Sequence, residues 1–495
     1  MLSLFSSSGI LNPEGIVKLI QSVFHHGTNL LTLSSWVARL YPEKMMLSGE
    51  DETITYSAFH QKAMNLSRFF TMNHPSMIHG KTAVIASNSI NMLAACFGAS
   101  GAGSDITLIS TEVSEEQFRK MEESIGFGLV ITDKAIAFQP KSPVFNLSDP
   151  EVFVSKETSG PPQTRSRYWN KKISTLTSGS TGNPKSAQRT TSIFAFLQPF
   201  HSLLRNAKLN EYQSVVVTTP MYHGYGIATC LMAMCLGSHI HIRKRFKASE
   251  ICELIEKQAI EVITLVPLVL RRILNESETN LTSLKAILSG GAALEESLVT
   301  NTHERLGKIL FNLYGTSEAG FCILANPDQL KRNPSTIGKP IEGVRIRINE
   351  PEKSYGCGEL LVKNRWSVSR TKWIRTGDLA RINEDGFIQL MGRSDDMIVS
   401  GGVNVYPIEL ENLLFQHPNV ELVKVAGIQD DEFGQRLKAY LVLKQGSIDN
   451  ETEIMEWIRH HGNRFIVPKS IQILHEIPHN EIGKINIRNL PDIDL

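Results

Sequence analysis

The sequence lacks any segment of the ~18 uninterrupted apolar residues needed to cross a bilayer, and its longest candidate, Gly226–Gly237, has the length of a buried helix. It lacks the start of a secretory signal, since MLSLFSSSGILNPEG carries no basic residue and only a broken apolar run. Six cysteines, at positions 96, 230, 235, 252, 322 and 357, include no CxxC pair. That excludes the usual zinc and disulfide frameworks and suits a reducing compartment. Charge of one sign is also missing. The 51 Lys and Arg nearly cancel the 50 Asp and Glu, so the net +1 gives no reason to expect nucleic acid as a partner. No internal repeat or low-complexity tract stands out. These absences lead to the expectation of a soluble, cytoplasmic protein.

What is present is enough chain for two to four domains, on an allowance of ~100–200 residues each. Residues 12–24 predict a helix, with Asn12 as cap, Pro13 at the first position, and Ile16, Leu19, Ile20 and Val23 on one face. Such a stripe reads as core-facing, with peripheral membrane contact as the alternative. From Thr82 onward, β-branched runs alternate with helical patterns: strands at Thr82–Ser87, Lys172–Leu176, Ser214–Thr219, His239–Ile242, Val262–Val266, Lys285–Ser289 and Lys308–Leu313, and helices at Met92–Ala102, Gly226–Cys235, Ala248–Gln258 and Leu294–Leu306. Strands separated by helices of that length imply parallel sheets covered on both faces. Beyond Gly343 the texture turns to short β pieces, and the last hundred or so residues read as one small α+β domain.

Thr177–Ser186 reads TSGSTGNPKS. Gly179 and Gly182 would let backbone N–H groups turn inward around an anion, with hydroxyls and Lys185 adding donors and charge. The spacing is not that of the nucleotide-binding P-loop, whose lysine directly follows its second glycine. On its own residues the stretch reads equally as a surface turn. Its company favours the nest, because two further strands run into glycine-bearing loops, Gly290-Gly291-Ala292 and Tyr314-Gly315-Thr316-Ser317-Glu318. In open α/β sheets ligands bind beyond the carboxyl ends of strands.

Five motifs in order now resemble one superfamily, the adenylate-forming enzymes, which comprises acyl- and aryl-CoA synthetases, adenylation domains and beetle luciferases. They are TSGSTGNPK at 177–185, YGTSE at 314–318, WIRTGD at 373–378, GRSDDMIVSGG at 392–402 and PHNEIGK at 478–484. The resemblance implies an α/β fold: a large N-terminal domain, 1–393, with parallel α/β sheets and a small β subdomain, and a small mobile α+β C-terminal domain, 394–495, hinged near Asp395. It implies ATP, Mg²⁺ and coenzyme A, with a small-molecule carboxylic acid as the other substrate. Thr177, Ser178, Gly179, Ser180, Thr181, Gly182 and Lys185 would hold the β- and γ-phosphates. Gly290, Gly291, Ala292, Tyr314, Gly315, Thr316 and Ser317 would form the adenine site, with Tyr314 stacking on the base. Glu318, with the Thr181 hydroxyl, would ligate the magnesium. Asp378, following a glycine turn, would accept from both ribose hydroxyls beside Arg393, a structural ion pair between the two being the plainer reading.

The same resemblance has the small domain presenting Lys484 to the carboxylate and α-phosphate, then turning to present Gly401 and Gly402 to a pantetheine arm. His223, in PMYHGYG, would lie between the acyl pocket and the thiol path, with Tyr222 and Gly290–Gly291 bounding that pocket. The chain departs from the family pattern at Ser186, where glycine is usual, and in AQRTT, which lacks a frequent histidine; Gln435 stands where an acid is common. An Ala-x-Arg variation with an N-terminal GIL-x-P segment resembles some bacterial long-chain acyl-CoA synthetases. The expected function is therefore a fatty acid–CoA ligase acting through acyl-AMP. The alternatives are an aryl- or short-chain-acid CoA ligase, an enzyme loading a carrier protein, or a non-catalytic nucleotide-binding relative.

Overall fold

The computed structural model describes residues 12–133, 138–148, 167–177, 185–186, 193–276, 280–349, 357–401, 403–478, 485 and 489–491. They fall into two compact units. The first comprises Met1–Leu265, Glu276–Ile287 and Arg365–Arg370; the second comprises Val266–Asn275, Leu288–Asn364 and Thr371–Leu495.

The first unit carries two largely parallel sheets. Its strands are β1 (Met45–Ser48), β2 (Thr53–Thr55), β3 (Lys81–Ile85), β4 (Asp105–Leu108), β5 (Phe127–Thr132), β6 (Val144–Asn146), β7 (Ile173–Thr177), β8 (Lys185–Ser186), β9 (Ser214–Val217), β10 (His239–Ile242) and β11 (Val262–Leu265). One sheet has the order β6-β5-β3-β4-β7-β8, parallel except for the β7–β8 pair. The other runs β11-β9-β10-β1-β2, parallel up to the antiparallel β2. Helix Ile90–Gly101 shows why these strands need not alternate in polarity: it is buried almost all round, as befits an element covering a two-faced sheet.

The second unit is mostly antiparallel. Its strands are β12 (Ala286–Gly290, from Leu288 onward), β13 (Leu310–Thr316), β14 (Gly320–Ala325), β15 (Thr336–Pro340), β16 (Arg345–Asn349), β17 (Gly358–Lys363), β18 (Ile374–Ile382), β19 (Ile388–Arg393), β20 (Ile398–Ser400), β21 (Val403–Val405), β22 (Val420–Asp430), β23 (Gly434–Leu443) and β24 (Ser470–Ile473). From β13 the order β13-β14-β15-β19-β18-β17-β16 is antiparallel throughout, so the expected small β subdomain is one edge of a larger sheet. Residues from Ile398 to Ile471 close a separate core, in which Leu410, Leu414, Ala439, Leu441, Ile454 and Ile458 are fully buried. That core begins at Ile398, and the expected border at 393/394 lies inside the second unit. Within that unit Arg271 sits 5.2 Å over the Phe415 ring and pairs with Glu295 at 3.2 Å.

Helix Pro13–His26 forms as its cap predicts, Asn12 Oδ1 accepting the Gly15 N–H at 2.6 Å. Its orientation differs from expectation. The buried residues are Gly15 and Ser22, and Trp36 Nε1 donates to the Gly15 carbonyl at 2.9 Å; of the expected stripe Leu19 and Val23 are half-buried, while Ile16 and Ile20 face solvent. Small residues allow close backbone approach, and here that contact outweighs the apolar stripe.

His241 is buried in the parallel sheet, where burial pushes its imidazole down to about 3, with His239 and Arg243 adding to the effect. A base depressed in the folded state contributes stability that is complete above its ordinary value of 6.5 and lost as pH falls towards about 3. Equilibrium unfolding should therefore show an acid slope of about 1.4 kcal/mol per pH unit in that window from this group. His241→Leu should flatten that slope; an unaltered slope would show that the imidazole is not held neutral.

Candidate functional site

The expected site residues are best followed from the antiparallel strands of the second unit. Asp378 and Arg393 are direct cross-strand partners on β18 and β19. Arg393 Nη1 lies 3.3 Å from Asp378 Oδ1, and the Tyr314 hydroxyl donates to Asp378 Oδ2 at 2.5 Å. Arg393 Nη2 reaches Asp395 Oδ2 at 3.2 Å, so one guanidinium ties Asp378 to Asp395. The ion pair that was the plainer reading of Asp378 and Arg393 is present. The two carboxylate oxygens of Asp378 are thus held from two sides, by a phenol and by a guanidinium.

Electrostatics follow from this geometry. Burial pushes the Tyr314 phenol upward, and the neighbouring Asp378 carboxylate pushes it further, so it is a neutral donor. Burial works against the charge on Arg393, but its contacts with Asp395 and Asp378 hold it above its ordinary value. Burial likewise acts to raise Asp395, yet the Arg393 bond and Ser394 hold it below the usual carboxylate range.

Gly377 is not in a turn, contrary to expectation; it lies within β18 at φ +73°. A Cβ there would come 2.9 Å from Arg393 Nη2, so glycine makes room for the guanidinium as well as adopting the left-handed backbone. The β17–β18 and β18–β19 registers both shift beside this point. Glu359 pins the irregularity by accepting the Gly377 N–H at 3.2 Å and Arg375 Nε at 2.7 Å. The Thr376 hydroxyl accepts the Asp378 N–H at 3.1 Å. Glu359 escaped sequence reasoning, since a carboxylate in an apolar strand carries no signal of its own; Thr376 lies within the WIRTGD stretch, where the resemblance gives it no role.

The YGTSE motif was expected as a loop after a strand. Tyr314, Gly315 and Thr316 instead complete β13, and Ser317, Glu318 and Ala319 turn it into β14. Gly315 is required there, as a Cβ would meet the Gly320 carbonyl at 2.3 Å. The Tyr314 ring belongs to a buried cluster with Ala319, Cys322 and Ile323, which leaves its hydroxyl as the part tied to Asp378. Glu318 is half-buried at the hairpin turn. A single carboxylate with a solvent side fits Mg²⁺, which usually takes one or two carboxylates and completes its octahedron with waters and phosphates. Gly290 ends β12, the neighbour of β13; Gly291 takes φ +81°, and Ala292 is exposed.

Of the other expected residues, Gly401 belongs to the second unit, and the rest belong to the first unit or lie outside the described residues. Thr177 and Lys185 are cross-strand partners in the β7–β8 pair, so the strands flanking the glycine stretch close on each other. Ser178, Gly179, Ser180, Thr181 and Gly182 between them lie outside the described residues, as do Gly402 and Lys484. β7 belongs to a different sheet from β12 and β13, so the three glycine-bearing loops do not leave one sheet. Gly401 donates its N–H to Phe433 O at 3.0 Å and takes φ +56°. His223 caps helix Gly224–Leu236, its ring 4.6 Å from that of Tyr222. Asn88, a further residue missed from sequence, holds that segment: its Oδ1 accepts the Met221 N–H at 2.8 Å and its Nδ2 donates to Thr219 O at 3.3 Å.

Comparison with known proteins bears on the whole length. The AMP-binding enzyme family model matches residues 34–371, and the model of the AMP-binding enzyme C-terminal domain matches 409–484. The 2-succinylbenzoate–CoA ligase of Bacillus subtilis (strain 168) is 26% identical over 476 residues, covering 92% of this chain and 96% of that protein. The corresponding ligase of Bacillus cereus (strain Q1) is 27% identical, covering 93% and 98%. Among solved structures, o-succinylbenzoate CoA synthetase from Bacillus subtilis, in complex with its acyl-adenylate intermediate, superposes with a TM-score of 0.80 at 23% identity, covering 93% and 98%. That likeness shows a shared fold.

Asn88→Leu should cost about 1–3 kcal/mol for each backbone group it leaves unpaired inside, measured by denaturant unfolding. A smaller loss would mean that water replaces the amide there and that Asn88 does not fix the His223 segment.

Proposed function

The chain belongs to the AMP-binding enzyme family, and on that premise we propose that it is an AMP-forming acid–CoA ligase whose acid is an aryl carboxylic acid. The observation that carries the nucleotide half is the constellation of Asp378 held between the Tyr314 hydroxyl and the Arg393 guanidinium, three residues drawn from three separate motifs. The aryl class is supported by the full-length curated relatives, which are ligases for 2-succinylbenzoate. They favour the aryl alternative over the fatty-acid reading, which rested on the Ala-x-Arg variation and the GIL-x-P segment.

The chemistry proceeds in two steps. A carboxylate is a poor acyl donor because its leaving group would be oxide. One of its oxygens attacks the α-phosphorus of ATP, the bond to the β-phosphate breaks, and pyrophosphate departs. Lys185 and the hydroxyls of 177–182 would take up the charge on the departing phosphates, and Lys484 would neutralise the carboxylate and α-phosphate. Glu318, with Thr181, would hold Mg²⁺, which when bound supplies further neutralisation of phosphate charge. Asp378 would fix the ribose, and Tyr314 would orient Asp378 while bordering the adenine. In the second step the thiol sulfur of CoA attacks the acyl carbon, and AMP leaves with the bonding pair. His223 would line the thiol path, and Gly401–Gly402 would admit the pantetheine arm.

We place the domain border at 393/394, with Asp395 as the pivot and 394–495 as the moving part. The separate core from Ile398 to Ile471 supports this border. Such a turn would break the Arg271–Phe415 contact and the Arg393–Asp395 bond together. A cytoplasmic site of action belongs to the same proposal.

Acid-dependent ATP–pyrophosphate exchange across acetate, benzoate, 2-succinylbenzoate and palmitate tests the acid class. Exchange should be greatest with the aryl acids; a maximum with palmitate would restore the fatty-acid reading. Lys484→Ala should abolish adenylation yet largely spare thioester formation from supplied acyl-adenylate, and equal loss of both steps would contradict the two-face scheme. Arg393→Met should weaken ATP binding roughly ten- to a hundredfold, the worth of a charged hydrogen bond, measured by calorimetric titration. Unchanged affinity would leave Arg393 a structural partner only.

A further inference from the structure

Helix Pro13–His26 is amphipathic in the wrong sense for a covering helix. It docks through Gly15 and Ser22, and it turns Ile16, Val17, Ile20 and Phe24 outward at 39%, 52%, 63% and 57% exposure. At the helical repeat of about 100° per residue these four fall within one sector of about 100°. The patch continues beyond the helix. Segment 167–171 runs along its C-terminal end, where the Thr28 N–H donates to Tyr168 O at 3.1 Å and the Lys171 N–H donates to Thr28 O at 3.1 Å. Tyr168 points inward and is buried. Side chains alternate along extended chain, so Arg167 and Trp169 share the outward side. Arg167 lies 4.2 Å over the Phe24 ring, and Trp169 is 53% exposed.

Cations outnumber acids around this patch. Between residues 12 and 42 the only acid is Glu14, and it is paired to Lys18 at 2.6 Å. Arg39 stands next to the helix, with Nη1 3.5 Å from Gln21 Oε1. Segment 167–172 adds Arg167, Lys171 and Lys172 and no acid. Asp105 accepts the Lys172 N–H at 2.9 Å, which leaves Arg39, Arg167 and Lys171 as the cations bordering the apolar helix face.

We propose that this face, Ile16, Val17, Ile20, Phe24 and Trp169 rimmed by Arg39, Arg167 and Lys171, docks on the surface of an anionic lipid bilayer. Aliphatic side chains with Phe and Trp at their edge suit the boundary between headgroups and acyl chains, and the cations suit anionic headgroups. A second copy fits less well: five side chains fall far short of the roughly 20–30 residues a side of a stable protein–protein interface, and two such faces would bring like charges together.

The full-length protein, floated with vesicles of phosphatidylcholine alone and of phosphatidylcholine with phosphatidylglycerol, tests this. Binding should be confined to the anionic vesicles and should weaken at high salt. Ile20→Asp with Phe24→Asp should lower the partition coefficient at least about tenfold, because two exposed side chains lose their apolar transfer and gain repulsion. Trp169→Phe should remove most of any blue shift in tryptophan emission on binding. Because these side chains are exposed, far-ultraviolet circular dichroism and ATP–pyrophosphate exchange should be unchanged. Absence of binding to either vesicle would overturn the proposal. So would a concentration-dependent dimer in light scattering that the double variant disperses, which would assign the face to a second copy. Vesicle binding seen only after removal of residues 1–11 would overturn it too, by showing that the chain covers the face itself.

Discussion

A single guanidinium carries two duties in this protein. Arg393 ends a strand of the antiparallel sheet, pairs across the ladder with Asp378, and reaches onward to Asp395 two residues later. Asp378 in turn takes the Tyr314 hydroxyl. The residue that sets the charge at the proposed ribose position therefore also touches the proposed pivot. Loss of the Asp395 contact when 394–495 turns would leave Arg393 to Asp378 and the Thr376 carbonyl. Loss of a nucleotide hydroxyl at Asp378 would be felt at Asp395 through the same bonds. This coupling needs Gly377, since any Cβ there would collide with the guanidinium.

Much of this was visible in the chain. Regular elements with a clear period, such as His239–Ile242 and Ala248–Gln258, stand where the pattern puts them. Motif residues that act together in the second unit, Tyr314, Asp378, Arg393 and Asp395, come from stretches up to 81 positions apart, and only their order along the chain pointed to one another. What failed was local geometry. Gly377-Asp378 reads as a turn because a glycine precedes a carboxylate, but ladder pairing on both sides keeps it in a strand with Gly377 at positive φ. Tyr314-Gly315-Thr316 reads as loop, yet the antiparallel partner that makes it strand follows directly after the hairpin. Glu359 and Asn88 could not be found because what they do depends on where distant backbone N–H groups end up.

The apolar stripe of Pro13–His26 is the most instructive misreading. Periodicity says that a helix has an apolar face, but not that this face turns inward. Gly15 and Ser22 offer a flatter approach, and the Trp36 bond to Gly15 fixes it. A helix that buries its small face at the cost of its apolar one presents a surface that some other phase must meet. The cations gathered beside it narrow what that phase is.

The central claim is that the acid attacks the α-phosphorus and leaves one of its own oxygens on AMP. Its most direct measure is the fate of a heavy-oxygen label placed in the carboxylate of an aryl acid and followed by mass spectrometry through one full turnover with ATP and CoA. One labelled oxygen should appear in the phosphate of AMP, with none in pyrophosphate. Label in inorganic phosphate accompanied by ADP would contradict the acyl-adenylate route and with it the roles given to Asp378, Arg393 and Lys484.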